Sequence, residues 1–239
     1  MKYKIYPLYV ARLFADIGAF CYLNFSGVKR WFPIYIWLIE GGGKRIIVDT
    51  ACDAEEVMKA SVLKAPYENI TTPEEALGRF GLTPETVDTV ILTHLHGDHA
   101  LYLRKFVNAV IYVQEDELAF ARKPHPLLAG TYPAGRFDGI NFTTIKGDCR
   151  IEEGIDVLLT PGHSAGTQSI AIQTENGKAI ISGACSLPEN FSPASGSVIA
   201  PGIHLDPVKG YDSFLRIKKE ADIIIPLHDA AHMGEKAIG

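Results

Sequence analysis

Three histidines and an aspartate occur within six residues of the chain, directly after an apolar segment. The segment TVILT has the composition of a buried strand, and HLHGDH follows it. In an extended chain His94 and His96 project to the same side, and Gly97 lets the backbone turn so that Asp98 and His99 reach a second position. Burying these groups together is costly unless a cation compensates. Because imidazole and carboxylate ligands suit zinc, manganese and iron, the pattern predicts a metal site.

Two further histidines follow strand-like segments in the second half of the chain. His163 comes just after DVLLT, and His228 ends the segment DIIIPL. These residues complete two predicted groups of ligands. The first ligand set is His94, His96 and His163, and the second ligand set is Asp98, His99 and His228. The predicted cofactor is one or two zinc ions, with iron and manganese as alternatives.

Composition limits the classes of protein to which the chain can belong. It has 239 residues, of which 47% are hydrophobic and 21% charged, which favours one domain over residues 1–239 with its own core. The net charge of -5 argues against a nucleic-acid partner. The run WFPIYIWLI is shorter than the roughly 20 residues that span a bilayer, so no membrane partner is expected. Four scattered cysteines indicate reduced thiols and a cytoplasmic location.

Strand-like and helix-like segments alternate along the chain. Thr72 and Thr83, each followed by proline, are predicted helix N-caps. Helices are also predicted over residues 115–123 and 211–220. The predicted strands cover residues 34–39, 45–48, 89–93, 109–114, 156–160, 168–174, 178–182 and 222–227. Many strands in two halves with interspersed helices favour sheets packed together with helices outside.

Four motifs together resemble the metallo-β-lactamase superfamily: THLHGDH, VDT at residues 48–50, TPGHSAGTQS and PLHD. The resemblance covers essentially the whole chain. It implies an α/β (α+β) fold, the four-layer αββα sandwich, with a two-metal centre along one edge. Within the superfamily the chain is most similar to the N-acyl homoserine lactonase and pyridoxolactonase group. That similarity implies that Asp49 orients the metal ligands, and, by analogy, that the protein forms a homodimer.

One segment departs from the pattern of that group, which carries Asp-Ala-x-Tyr-x-x-Glu-Asn with a metal-bridging Asp and a substrate-binding Tyr. This chain reads SGACSLPENF at residues 182–191. An ungapped alignment puts Gly183 at the bridging position and Ser186 at the tyrosine position, whereas shifted registers put Ala184 or Cys185 at the bridge. No register restores a carboxylate. A Cys185 thiolate would restore the charge and favour zinc; the alternative is an ordinary buried cysteine.

The predicted function is a metal-dependent hydrolase that acts on a lactone or ester. A bound metal lowers the pKa of water, and the resulting hydroxide attacks the carbonyl carbon of a small-molecule substrate. Asp98 is predicted to pass a proton to the leaving oxygen. Ser186 is predicted to donate to the carbonyl oxygen in place of the missing tyrosine. Residues 124–138, rich in proline and glycine, are predicted to form a loop or cap near the site.

Other functions remain open at this point. The same metal centre could hydrolyse a thioester, a phosphodiester or a β-lactam. A mononuclear-iron dioxygenase would keep the same histidine motif, and a protein that has lost its bridging ligand could bind a small molecule without catalysis. Metal content separates these classes: two zinc ions favour hydrolysis, one iron favours oxygen chemistry, and no metal favours binding alone.

Overall fold

The computed structural model describes residues 1–60, 65–132, 135–192 and 197–239. Seven strands form the first sheet, in the order β4-β1-β2-β3-β5-β6-β7. Strands β1 to β4 pair antiparallel, and β3, β5, β6 and β7 run parallel. Their bounds are β1 (Lys4–Asp16), β2 (Lys29–Glu40), β3 (Ile46–Val48), β4 (Tyr67–Asn69), β5 (Thr89–Ile91), β6 (Val110–Gln114) and β7 (Phe142–Ile145).

Five strands form the second sheet, in the order β12-β11-β10-β9-β8. Strand β12 pairs parallel with β11, and the other neighbours pair antiparallel. Their bounds are β8 (Cys149–Glu152), β9 (Ile155–Leu159), β10 (Gln168–Thr174), β11 (Gly177–Ile181) and β12 (Ile223–Ile225).

Helices cover the outer faces of both sheets. Their bounds are α1 (Ala54–Ala60), α2 (Pro73–Gly78), α3 (Gly97–Ala100), α4 (Glu115–Arg122), α5 (Pro188–Phe191) and α6 (Pro207–Glu220). Trp37 and Ile170 belong to the apolar layer between the sheets. Leu118 of α4 packs on the outside of the first sheet, and Phe214 of α6 packs on the outside of the second. The predicted four-layer αββα sandwich is confirmed.

Local sequence explains why a helix starts after Thr72 and why only a short turn starts after Thr83. Thr72 caps α2, since its hydroxyl accepts a hydrogen bond from the backbone N–H of Glu75 and the Glu75 carboxylate accepts one from the N–H of Thr72. Thr83 starts only a 3-10 turn, Pro84–Thr86, because β5 begins at Thr89. The expectation of a full helix there is wrong. Among the described residues no helix has the length and apolar character needed to cross a membrane.

Candidate metal centre

The residues of both ligand sets lie where strands end. His94 and His96 follow β5, and Asp98 and His99 belong to the first turn of α3. His163 lies in the loop between β9 and β10, and His228 follows β12. The structure brings together the side chains of the first ligand set, His94, His96 and His163, and those of the second, Asp98, His99 and His228. Within each set the potential ligand atoms lie within 4.8 Å of one another.

Hydrogen bonds to backbone carbonyls orient two of these histidines. The Nδ1 atom of His163 donates to the carbonyl oxygen of Ile203 at 2.7 Å, and the Nδ1 atom of His228 donates to that of Pro33 at 2.9 Å. The proton on Nδ1 leaves Nε2 with a free lone pair, as metal ligation requires. The Nε2 atoms of His163 and His94 lie 3.2 Å apart. The buried Nε2 of His228 has no hydrogen-bond partner among the described residues. These residues therefore fit a metal cofactor.

Asp49 holds histidines from both ligand sets. Its carboxylate accepts hydrogen bonds from the Nδ1 atom of His99 at 2.9 Å and from the backbone N–H of Thr93 at 2.7 Å. The Thr93 hydroxyl bonds to the same carboxylate and lies 2.9 Å from the Nδ1 atom of His94. Asp49 is fully buried and has a φ of 58°, a conformation that is rare outside glycine. This geometry supports the expected orienting role of Asp49.

The two ligand sets differ in the protonation of their histidines. Burial and the neighbouring histidines hold the pKa of His94 well below its usual range, and burial lowers the pKa of His163 to about 4. Burial also opposes the charge on His99, but Asp98 and Asp49 raise its pKa to about 10. Although burial opposes ionisation of Asp98, His99 keeps the pKa of that carboxyl below its usual range. The histidines of the first set are therefore neutral near pH 7, whereas in the metal-free protein the second set contains the Asp98 carboxylate beside a protonated His99.

The metal-free protein is expected to be most stable near pH 6.5. Burial lowers the pKa of His163 and His228 to about 4, whereas histidines in the unfolded chain titrate near 6.5. Between these values the unfolded chain binds more protons, so stability falls as the pH falls. The raised pKa of His99 acts oppositely: its contribution is complete below about pH 6.5 and is lost as the pH rises towards 10. Each group contributes up to about 1.4 kcal/mol per pH unit.

Urea unfolding of chelator-treated protein between pH 4.5 and 9.5 measures this profile. His99→Gln should flatten the alkaline limb and also make the acid limb shallower, because the charge on His99 helps to lower the pKa of His163 and His228. A free energy of unfolding that rises steadily from pH 6.5 to 9.5 would contradict the assignment for His99.

An apolar cavity opens onto the two ligand sets. His94, Asp98 and His99 line it together with apolar side chains, which include Leu13, Phe20, Val57, Leu101, Leu128 and Ile203. Leu127, Leu128, Gly130 and Thr131 come from the segment expected to form a cap. Residues 133 and 134 of that segment lie outside the described residues. Because these walls exclude water, electrostatic interactions at the ligand sets would be stronger than in solvent.

Only one of the three candidate bridging positions faces this cavity. A Cβ atom on Gly183 would lie 1.7 Å from the backbone oxygen of Gln168, so this backbone accommodates no side chain there. Ala184 points to the other side of the sheet, where it packs in the cluster that contains Phe214. Cys185 is buried and lines the cavity. Burial and Asp98 raise the pKa of its thiol well above the usual value.

Ser186 does not lie where a carbonyl-oxygen donor is needed. Its side chain is fully buried, its hydroxyl oxygen accepts a hydrogen bond from the backbone N–H of Leu227, and it is not among the cavity-lining residues. Its backbone oxygen accepts from the N–H of His228. Ser186 therefore anchors the segment that carries His228, which corrects the expected donor role. The described lining residues that carry hydroxyl groups are Tyr67 and Thr131.

Sequence reasoning missed Glu117 and Tyr132. Glu117 is fully buried at the start of α4, although its segment, EDELAFAR, has the composition of a surface helix. Tyr132 is also buried, and its ring contacts that of His96 at a centroid distance of 4.9 Å. No local pattern marks either residue, because their partners are distant in sequence.

Comparison with known proteins gives concordant results. A family model described as the metallo-beta-lactamase superfamily matches residues 30–228. The chain is 29% identical to an N-acyl homoserine lactonase of Bacillus thuringiensis, over 95% of this chain and 93% of that protein. It is 30% identical to N-acyl homoserine lactonase AiiB of Agrobacterium fabrum, over 67% of this chain and 66% of that protein.

Solved structures show the same likeness. A crystal structure of a B. thuringiensis AiiA variant with N-decanoyl-L-homoserine at its active site matches with a TM-score of 0.80 at 26% identity, covering 99% of this chain and 97% of that one. An N-acyl homoserine lactone hydrolase with N-hexanoyl-L-homoserine bound at its catalytic metal centre matches with a TM-score of 0.77 at 26% identity, covering 98% and 96%.

Proposed function

The chain belongs to the metallo-beta-lactamase superfamily, and on that premise we propose that it is a zinc-dependent hydrolase that opens N-acyl homoserine lactones or lactones of similar shape. The observation that carries the proposal is the position of both ligand sets at the end of an apolar cavity. Relatives and structural neighbours that match nearly the whole chain are named as lactonases of this kind. The proposal takes in a single domain over residues 1–239, a homodimer and a cytoplasmic location, as expected from the sequence.

The lining of the cavity suits a substrate with a polar ring and an apolar tail. The ring carbonyl would lie at the ligand sets, and the acyl chain would lie against side chains such as Phe20, Leu128 and Ile203. Such a pocket gains affinity from apolar contact and orientation from a few polar groups. Phe20 is held in place by Phe32, with ring centroids 4.1 Å apart.

Two carboxylates at the site, Asp98 and Asp49, have roles that follow from their surroundings. When zinc is bound, it acidifies water and polarises a carbonyl oxygen. Asp98, ionised near pH 7 and facing the cavity, would accept the proton of the attacking water and deliver it to the leaving oxygen. Asp49 keeps His94 and His99 oriented during the reaction through its bonds to His99 and Thr93.

Cys185 is the residue we propose as the additional ligand where related lactonases carry a bridging aspartate. Neither Gly183 nor Ala184 presents a side chain to the cavity, whereas Cys185 does. A thiol of raised pKa loses its proton on metal binding, and the resulting thiolate supplies one negative charge. Thiolate, imidazole and carboxylate together form a donor set that suits zinc.

A hydrolysis assay across acyl chain lengths tests the proposed substrate class. Because burial of a methylene stabilises binding by about 0.8 kcal/mol, kcat/KM should rise about fourfold for each methylene added, until the chain outgrows the cavity. Phe20→Ala should reduce this slope. Lactones, linear esters, thioesters and phosphodiesters are assayed in parallel on zinc-loaded protein. Thioester or phosphodiester turnover without lactone turnover would overturn the lactonase assignment and keep a hydrolase of another bond.

A mononuclear-iron enzyme is the second candidate, because it would need only the histidine motif. The structure offers a complete second ligand set at the same cavity, in which the buried Nε2 of His228 lacks a hydrogen-bond partner among the described residues. This observation favours two ions and therefore hydrolysis.

A further inference from the structure

The fully buried carboxylate of Glu117 accepts four hydrogen bonds and has no role in the proposed mechanism. Its Oε1 atom accepts from the backbone N–H of Leu95 at 2.9 Å and from the hydroxyl of Tyr132 at 3.1 Å. Its Oε2 atom accepts from the hydroxyl of Ser164 at 2.6 Å and from the backbone N–H of Gly166 at 2.9 Å. Each oxygen thus accepts two bonds.

These bonds join the two loops that carry the first ligand set. Leu95 lies between His94 and His96, while Ser164 directly follows His163. Close packing reinforces the connection: a Cβ atom on Gly166 would lie 2.6 Å from the backbone nitrogen of Glu117. The separation between the loops is therefore set by α4.

The hydrogen bonds also define the charge of Glu117. Burial raises the pKa of the carboxyl group above its usual value, and the bonds from Ser164, Leu95, Gly166 and Tyr132 reduce this rise without cancelling it. Backbone N–H groups can only donate, and one of them points to each oxygen, so the arrangement favours the ionised form. Among the described residues no lysine or arginine forms an ion pair with Glu117. Its negative charge is buried close to residues that bind a cation.

Tyr132 extends this network to the cap segment. Its hydroxyl donates to Glu117, and its ring contacts His96. Leu128 and Thr131, which precede it, line the cavity. The same carboxylate thus contacts both ligand-bearing loops and the cap segment.

We propose that Glu117 is a positioning residue that holds the first ligand set at metal-binding separation and raises its affinity for a divalent cation. The inference rests on the proposed function only in requiring that zinc binds there. Fixed loop separation lowers the reorganisation that accompanies binding, and the buried negative charge favours a cation nearby.

Zinc affinity of Glu117→Gln tests the proposal. The amide removes the charge and replaces one acceptor oxygen by an NH2 donor, so the hydrogen bond from the backbone N–H on that side is lost and the hydroxyl there must reverse to accept. Measurement in a His228→Ala background isolates the first ligand set. Competition against a chromophoric chelator should show zinc affinity weakened roughly 10- to 100-fold, and the absorption bands of bound Co²⁺ should shift. Glu115→Gln, two residues earlier and exposed, is the matched control and should bind zinc like its parent.

Zinc binding by the Glu117→Gln variant within twofold of its parent, with an unchanged Co²⁺ spectrum, would overturn this inference alone. A parent protein that binds no zinc would overturn both this inference and the proposed function. If Glu117→Gln fails to fold, as judged by circular dichroism, Ser164→Ala combined with Tyr132→Phe removes two of the four donors and keeps the carboxylate. That double variant should bind zinc several-fold more weakly, and unchanged affinity would contradict the proposal.

Discussion

Replacing His94 or His163 by alanine is expected to lower lactone hydrolysis about 1,000-fold. Each change removes one of three ligands of the first set and leaves the other two unable to hold an ion at working concentrations. The polarising effect of a metal contributes several kcal/mol to catalysis, and each 1.36 kcal/mol corresponds to tenfold in rate. Measurement of kcat/KM on an N-acyl homoserine lactone, together with metal content, tests this expectation.

His232→Ala is the matched control for these variants. His232 follows His228 by four residues, belongs to neither ligand set and contacts the ring of Trp37. We expect it to keep the metal content of the parent and most of its turnover. Unaltered turnover in His94→Ala and His163→Ala, with folded protein in each case, would show that the chemistry lies elsewhere.

Introducing aspartate at positions 183 and 185 is expected to give opposite results. Gly183→Asp should destabilise the metal-free protein by at least about 3 kcal/mol, because any Cβ there collides with the backbone of Gln168 and the strands would have to separate. Cys185→Asp should fold and bind the second ion at least as tightly as the parent, because a carboxylate then faces the cavity. Cys185→Ala, which offers no ligand, should bind that ion roughly 10- to 100-fold more weakly.

Urea unfolding of metal-free protein and zinc titration measure the two effects separately. Equal zinc affinity of the second set in the parent and in Cys185→Ala would remove Cys185 from the metal site. A Gly183→Asp variant with parental stability and tighter zinc binding would instead restore the ungapped alignment.

Features that depend on the local pattern of apolar and metal-binding residues could be predicted from the sequence. β10 has the predicted bounds, because its apolar residues form an uninterrupted run. The ligand histidines were identifiable because several metal-capable side chains follow strands, a pattern that few other structures require. β1 was missed: Pro7 and Arg12 interrupt its apolar pattern, and the strand is stabilised by pairing with β2 and β4, which local sequence does not encode.

The remaining features of the site depend on contacts between distant segments. Glu117 looks like an ordinary acidic residue in the first turn of a helix, and its burial is produced by Ser164 and Gly166, almost fifty residues away. Ser186 was placed by alignment with a tyrosine, whereas its hydroxyl bonds to the backbone of Leu227 on the neighbouring segment. Alignment alone also left three registers open at the bridging position, and the backbone next to Gly183 discriminates among them.

Elemental analysis of protein purified without chelator tests most directly whether two cations bind at these side chains. We expect two zinc ions per chain in the parent, and one or none in a variant that combines His94→Ala with His163→Ala. One iron per chain would contradict the hydrolytic account in favour of oxygen chemistry. A parent free of metal that also takes up none from added zinc would contradict the metal centre itself and favour a protein that binds small molecules without a catalytic ion.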